Sequence, residues 1–136
     1  MATSYLTLEQ IFLIHDEQIE LFGGSHGIRD LALLESAAMR PQATFGGNDL
    51  YNLLFEKAAV LIHSVILNHP FIDGNKRTGI ASAIVFLEKN KYALKANDRE
   101  LVDIALQIAN KQIDIDKISS WLKKHSNPLR SEARKM

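Results

Sequence analysis

The chain has 136 residues, enough for one domain with a real core, and its 46% apolar and 24% charged residues are the balance of an ordinary globular protein. Sixteen basic and sixteen acidic side chains cancel, which removes any bulk electrostatic reason to expect a nucleic-acid or acidic-membrane partner. The absence of cysteine excludes disulfides, thiolate catalysis and cysteine-ligated zinc. No apolar run approaches the length that spans a bilayer, and the opening MATSYLTLEQ lacks the basic-then-apolar pattern of a signal peptide, so a cytoplasmic protein is expected.

Helical spacing dominates from the start. Thr7 with Gln10 makes a capping box, and Leu8, Ile11, Phe12, His15, Ile19 and Phe22 recur at three- and four-residue intervals as one buried face. Gly23-Gly24 ends that helix, and the loop GGSHGIR leads to Asp30, an N-cap for LALLESAAM, which Pro41 stops. Residues 42–49, QATFGGND, read as an exposed turn or small hairpin. Asp49 then reads as the cap of a long central helix over about residues 50–67, ended by Pro70, which pushes His69 out of helical geometry. Helical pattern resumes after Gly74 to about Lys89, and its small residues Gly79, Ala81, Ser82 and Ala83 let a neighbour approach closely. Asn97 and Glu100 make another capping box for a helix to about Asn110, and Asp114 opens a last one carrying Ile118, Trp121 and Leu122 inward. The expected fold class is all-α: one domain over residues 1–126, about six helices with a short flap hairpin, and a polar, disordered tail over 127–136.

Between the two most apolar helices lies NHPFIDGNKRTG, Asn68 to Gly79. A helix start offers unpaired N–H groups and the positive end of the dipole, and Gly74 lets backbone approach a ligand closely. Lys76 and Arg77 add two cations, one a point charge and the other a bidentate phosphate grip. Asp73 would be misplaced beside an anion unless Mg²⁺ lay between them, bound through a carboxylate and phosphate oxygens. His69 supplies a group that takes a proton near neutral pH. That inventory suits transfer of a phosphate-containing group to a hydroxyl. Taken singly, each residue has a plainer reading: Asp73 as a helix cap, Lys76 and Arg77 as a solvated first turn, His69 as a loop residue bonding backbone. The chain has no GxxxxGK[ST] loop and no HRD or DFG element.

HPFIDGNKR resembles the motif H-x-F-x-[DE]-G-N-[GK]-R of the Fic family, and the lysine after the asparagine resembles its Doc (death-on-curing) branch. IHDEQIELFGG, GIRD and RPQATFGG extend the resemblance over most of the chain to about Tyr92. The resemblance implies that His69 is the general base and that Phe71 anchors the loop in the core. It implies that Asp73 binds Mg²⁺, that Gly74, Asn75 and the following amides form the anion hole, and that Arg77 binds nucleotide phosphates. Residues 43–48, with Thr44, Phe45, Gly46 and Gly47, resemble the flap that aligns the target's backbone as an added strand.

Fic proteins usually transfer AMP from ATP to a Ser, Thr or Tyr hydroxyl. The resemblance to the Doc branch implies that the lysine, here Lys76, turns the nucleotide so that the γ-phosphate is presented, and that a threonine of elongation factor Tu is phosphorylated, arresting translation. Ile80, where AMP-transferring members carry a second arginine, also favours the Doc branch; Gly74, where Doc carries alanine, does not. No glutamate is followed by Gly or Asn, so the family's inhibitory [ST]-x-x-x-E-[GN] helix is absent. The implied partner is a separately encoded Phd-like antitoxin whose disordered tail folds as a helix into a groove. Two other readings stay open: a protein adenylyltransferase, and a non-catalytic Fic-fold binding module.

The remaining histidines, His15, His26, His63 and His125, show no metal-ligand spacing. His15 and His63 are expected to be hydrogen-bonded core groups rather than facing substrate or antitoxin. Phe45 and Tyr51 are read either as partner-facing or as loop packing, and Arg29 and Asp30 as a helix start.

Overall fold

The computed structural model describes residues 2–129. Among them, six helices carry the fold: α1 (Leu8–Phe22), α2 (Leu31–Met39), α3 (Leu54–Asn68), α4 (Asn75–Lys89), α5 (Asp98–Ala109) and α6 (Ile115–Lys124). None is long and apolar enough to cross a membrane. The caps at Thr7, Asp30, Asn97 and Asp114 form as their sequences dictate, each side chain accepting the N–H three residues on. At Thr7 and Asn97 the reciprocal bond from Gln10 and Glu100 completes the capping box.

The core is arranged around α3. It packs against α2, α4, α5 and α6, and Lys57 to Ile62 and Ser64 to Ile66 are buried in an almost unbroken run. A helix apolar on all sides is stable only when surrounded, which is what its four neighbours achieve. The closest approach is to α4. A Cβ built on Gly79 would lie 2.9 Å from Ile66 Cγ1 and 3.4 Å from the Ile62 carbonyl, so the small-residue face of α4 lets the two backbones meet.

Three expectations change. The helix after the hairpin begins at Leu54, not near residue 50, and Asp49 does not cap it. Leu53 is the N-cap, its N–H taken by Glu56 Oε1 at 3.0 Å, while the Asp49 carboxylate turns back to Lys57. Residues 127 and 128 are not part of a frayed tail. Ser126–Pro128 (β4) pairs antiparallel with Tyr92–Leu94 (β3), with Tyr92 opposite Pro128 and Leu94 opposite Ser126. This strand pair had no sequence signal, because three residues are too few for periodicity. The rest of the tail, from residue 130, lies outside the described residues. Pro41 ends α2 through a short 3₁₀ turn, Arg40–Gln42, rather than abruptly.

The expected hairpin is present. Thr44–Phe45 (β1) and Asn48–Asp49 (β2) pair antiparallel around Gly46 and Gly47, whose φ values of 60° and 83° are those a two-residue type I′ turn requires.

Overpacking the α3–α4 crossing tests this architecture. Gly79→Val should destabilise the protein by about 1–3 kcal/mol, seen as a lower urea midpoint with an unchanged slope. An unchanged midpoint would mean that the two helices are not held at this distance.

Candidate active site

The motif loop leaves α3 at His69, which adopts the left-handed conformation (φ 50°, ψ 57°). Proline at the next position disfavours right-handed helical geometry here, and a left-handed residue turns the chain sharply. The side chain of His69 is exposed, but its backbone is not free. Arg29 Nε donates to the His69 carbonyl at 2.6 Å, and Arg29 Nη2 donates to the Asn68 carbonyl at 2.7 Å. One guanidinium thus satisfies two of the orphan carbonyls at the end of α3.

The segment 27–30 then runs antiparallel beside 70–72. The N–H groups of Arg29 and Asp30 donate to the Pro70 carbonyl, Ile72 N–H donates to Gly27, and Ile28 bridges to Phe71. Phe71 is fully buried, and the ring of His15 lies flat on it at 3.8 Å. Asn75 closes the loop from the other side. Its side chain accepts from Phe71 N–H and donates to the Phe71 carbonyl, both at 3.0 Å. What Asn75 offers a ligand is therefore its backbone N–H, since its amide side chain is committed to the loop.

At the start of α4, Gly74 (φ 76°) is a left-handed N-cap with no capping side chain. The first intrahelical bond runs from Thr78 N–H to the Gly74 carbonyl, so the helix ladder leaves the amides of Asn75, Lys76 and Arg77 free of intrahelical partners. Asp73 sits beside them, with Oδ2 accepting from Ser25 N–H at 3.1 Å and Oδ1 from Gly74 N–H at 2.8 Å. Those two N–H groups, with Arg77 adding to them, hold its carboxyl below the ordinary range, so Asp73 is ionised at neutral pH. Each oxygen retains a lone pair. A divalent ion bound through this carboxylate and phosphate oxygens fits that donor set, whereas no cluster of three or more protein ligands exists among the described residues.

Arg77 donates from Nη2 to the Gly23 carbonyl at 2.9 Å and lies over the Phe22 ring at 5.9 Å, which fixes its guanidinium against the end of α1. Lys76 is exposed. Gly24 makes the close approach possible: a Cβ there would stand 2.6 Å from Asp73 Oδ2 and 3.2 Å from Arg77 Nη2.

The expected residues thus converge. His69, Asp73, Gly74, the amides of residues 75–77 and Arg77 occupy one loop and helix start, with Lys76 exposed beside them. Thr44, Phe45, Gly46 and Gly47 form the exposed hairpin. Gly24, Ser25 and Arg29 were missed, because their partners lie some forty or more residues away. His15 has the hydrogen-bonded core role expected: Nε2 bonds the Asp73 carbonyl at 2.7 Å, so it carries the proton, and burial keeps the ring below its ordinary pKa and neutral. Half-buried His63 is bonded too, its Nδ1 lying 3.1 Å from Arg40 Nη1.

The Fic/DOC family model matches residues 5–87. The chain belongs to the Fic/DOC family. It is 43% identical over 104 residues to "Toxin Doc" of Mycolicibacterium smegmatis, covering 74% of this chain and 79% of that protein. It is 28% identical over 120 residues to "Protein kinase doc" of Escherichia phage P1, covering 88% of this chain and 94% of that one. Within the family these relatives put the chain with the Doc toxins.

The loop that holds Asp73 has its own fastening. His26 Nδ1 meets Asp16 Oδ1 and His26 Nε2 meets Glu20 Oε2, both at 2.6 Å, so two carboxylates one turn apart on α1 grip the ring. Glu20 and Asp16 raise the His26 pKa above its ordinary value of 6.5. A raised folded-state value means that the clamp's stabilisation is fully present below pH 6.5 and is lost as pH rises through the raised value. His26→Gln should therefore lower the melting temperature in acid, below about pH 6, and have no effect in alkali. Comparing the two proteins cancels the opposite trends of His15 and Asp73. A gap that stays constant from acid to alkali would remove the clamp.

Proposed function

We propose that this chain is a Doc-type toxin that transfers the γ-phosphate of ATP to a protein hydroxyl. The observation that carries the reading is the start of α4, where an ionised carboxylate, a fixed guanidinium and the first-turn amides converge beside exposed His69. Its likeness to "Toxin Doc" and "Protein kinase doc" supports both the toxin and the transferase reading.

His69 takes the proton of the acceptor hydroxyl as its oxygen attacks the γ-phosphorus; the new O–P bond forms, the bond to the bridging oxygen breaks, and ADP leaves. The amides at residues 75–77 and Arg77 would hold phosphate oxygens, and Asp73 would hold Mg²⁺, which when bound would supply charge neutralisation on the transferring phosphate. Because positioning and charge stabilisation carry most of such a reaction, a rigid loop matters more here than a reactive one.

Lys76 lies beside the phosphates and, on this reading, orients the donor so that the terminal phosphorus faces His69. The exposed hairpin edge of β1 receives the acceptor chain as an added strand. The proposed acceptor is a threonine of elongation factor Tu, so that translation stops in the cytoplasm. The proposed inhibitor is a Phd-like antitoxin. An apolar groove of about 490 Å³ between α1, α4 and α5, lined by Phe22, Ile80, Ile84 and Leu101, suits one face of its helix and reaches Lys76 and Arg77 at the site.

Intact-mass spectrometry of elongation factor Tu after incubation with this protein, ATP and Mg²⁺ tests the reading. One added phosphate is expected, with the rate reduced by about 10²–10⁴-fold in His69→Ala. A gain of AMP would replace phosphotransfer by adenylyl transfer at the same site, and no gain would remove this target. Lys76→Gly should cut phosphate transfer and allow AMP to be transferred instead; the same product at the same rate would dispose of the donor-orienting role.

A further inference from the structure

We infer that Lys57 is a positioning residue for the acceptor protein: buried in the core, it ties both feet of the flap hairpin to the helix that ends at His69. The inference rests on reading the hairpin as the acceptor guide.

Lys57 is 2% exposed and lies among apolar neighbours on α3. Burial works against its charge, but Tyr5 and Asp49 outweigh that effect and keep the ammonium protonated. Its contacts divide in a telling way. Nζ donates to the Pro41 carbonyl at 3.3 Å, just before the hairpin, and to Asp49 Oδ2 at 3.1 Å, the last residue of β2. The face of the Tyr5 ring, 5.4 Å from Nζ, covers its third side. One buried cation therefore joins the incoming and outgoing strands, and Leu50 N–H to the Ala43 carbonyl at 2.8 Å closes the base between them.

A second attachment lies alongside. Arg40 Nη1 reaches Ser64 Oγ at 3.0 Å and His63 Nδ1 at 3.1 Å, while Nε approaches Tyr51 Oη at 3.4 Å. The His63 ring is kept neutral by burial and by Arg40 itself, so Nδ1 is free to accept. Arg40 precedes the hairpin and Tyr51 follows it, so the arms on both sides are again gripped together against α3.

Beyond these feet the hairpin has no core of its own. Thr44, Phe45, Asn48 and Asp49 are all exposed, Phe45 to 80%, and added Cβ atoms on Gly46 and Gly47 would meet nothing within 4 Å. Its direction is thus set at the base. A lysine buried in the core with a half-exposed partner is a poor source of net stability, because the cost of desolvating its charge offsets the attraction. A lysine at this depth is better explained by what it joins than by what it stabilises. Lys57 and Asn68, the last residue of α3, are eleven positions apart on one helix, about 16 Å at 1.5 Å per residue, and His69 follows directly. That stiff spacing relates the strand-pairing edge to the base that takes the proton.

The test compares wild type with Lys57→Met and, as a surface alternative that leaves the core intact, Asp49→Asn. Hydrogen exchange at the amides of residues 43–51 should accelerate by about tenfold in Lys57→Met, and less in Asp49→Asn, while the rest of α3 keeps its protection. ATP binding measured by calorimetry with Mg²⁺ should be unchanged. In phosphate transfer to elongation factor Tu, KM for the acceptor should rise by about tenfold with kcat held within about twofold, the split that marks lost positioning rather than lost chemistry. Unchanged exchange in the hairpin with both variants would overturn the attachment, and a fall in kcat at constant KM would overturn the positioning role. Should wild type modify no elongation factor Tu, the proposed target fails and the attachment is decided by exchange alone.

Discussion

The burial of Phe71 is the constraint on which the site depends. The motif loop is polar, and a polar loop left to itself keeps its conformational entropy, at about 1–2 kcal/mol for each residue that must be fixed. Phe71 places one large apolar side chain in the middle of that loop, and burying such a ring is worth about 1.5–3 kcal/mol. Its environment then turns a hydrophobic contact into a directional one. His15 stacks flat on the ring and bonds the Asp73 carbonyl two residues further on, while Asn75 takes both the N–H and the carbonyl of Phe71. The chain on either side is committed by a single aromatic anchor, and His69 and Asp73 are presented from a fixed backbone.

The second shaping influence is electrostatic. Beside the free amides at the start of α4, the N–H groups of Ser25 and Gly74 already hold a carboxylate, Asp73. The pocket has therefore spent part of its positive character on an internal negative charge. A phosphate placed beside Asp73 would be repelled unless a cation stood between them. Arg77 balances the other side, and its tether to the Gly23 carbonyl keeps a long side chain from spending its entropy on binding. His15 stays out of this balance because burial keeps it neutral.

Which features were legible in the sequence follows from how local their causes are. Thr7, Asp30, Asn97 and Asp114 cap helices using groups three residues away, and each was readable. So were the glycine turn at residues 46–47 and the small-residue face of α4. Asp49 looked like a cap by the same local rule and is not one: α3 begins only at Leu54, and Lys57, eight residues on, takes its carboxylate. Ser126–Pro128 forms a strand only because Tyr92–Leu94 lies beside it. At the site, the chemistry-bearing residues stood out by type and spacing. Their supports did not: Arg29 reaches His69, Ser25 reaches Asp73, and nothing in GGSHGIR itself announces contacts that distant. Asn75 was seen as part of the anion hole, but the four-residue bond to Phe71 shows its side chain serving the loop.

These supports explain how so small a domain can hold several functional elements in register. Loops are positioned by the ends of regular elements, and α3 is the most deeply buried of them. The loop that carries the anion site begins where α3 ends, and the segment 27–30 is paired to that loop rather than to the core. The hairpin is joined to the same helix near its start, through a cation that has no apolar function there. Two exposed segments, far apart in sequence and with little packing of their own, thus share one rigid reference. A helix resists bending and stretching far better than a chain of loop contacts, so the separation between them is set by the number of residues in α3. Inserting or deleting a residue within it would rotate Lys57 relative to His69 by about 100° as well as shift it by about 1.5 Å. The uninterrupted packing of α3 therefore serves geometry as much as stability.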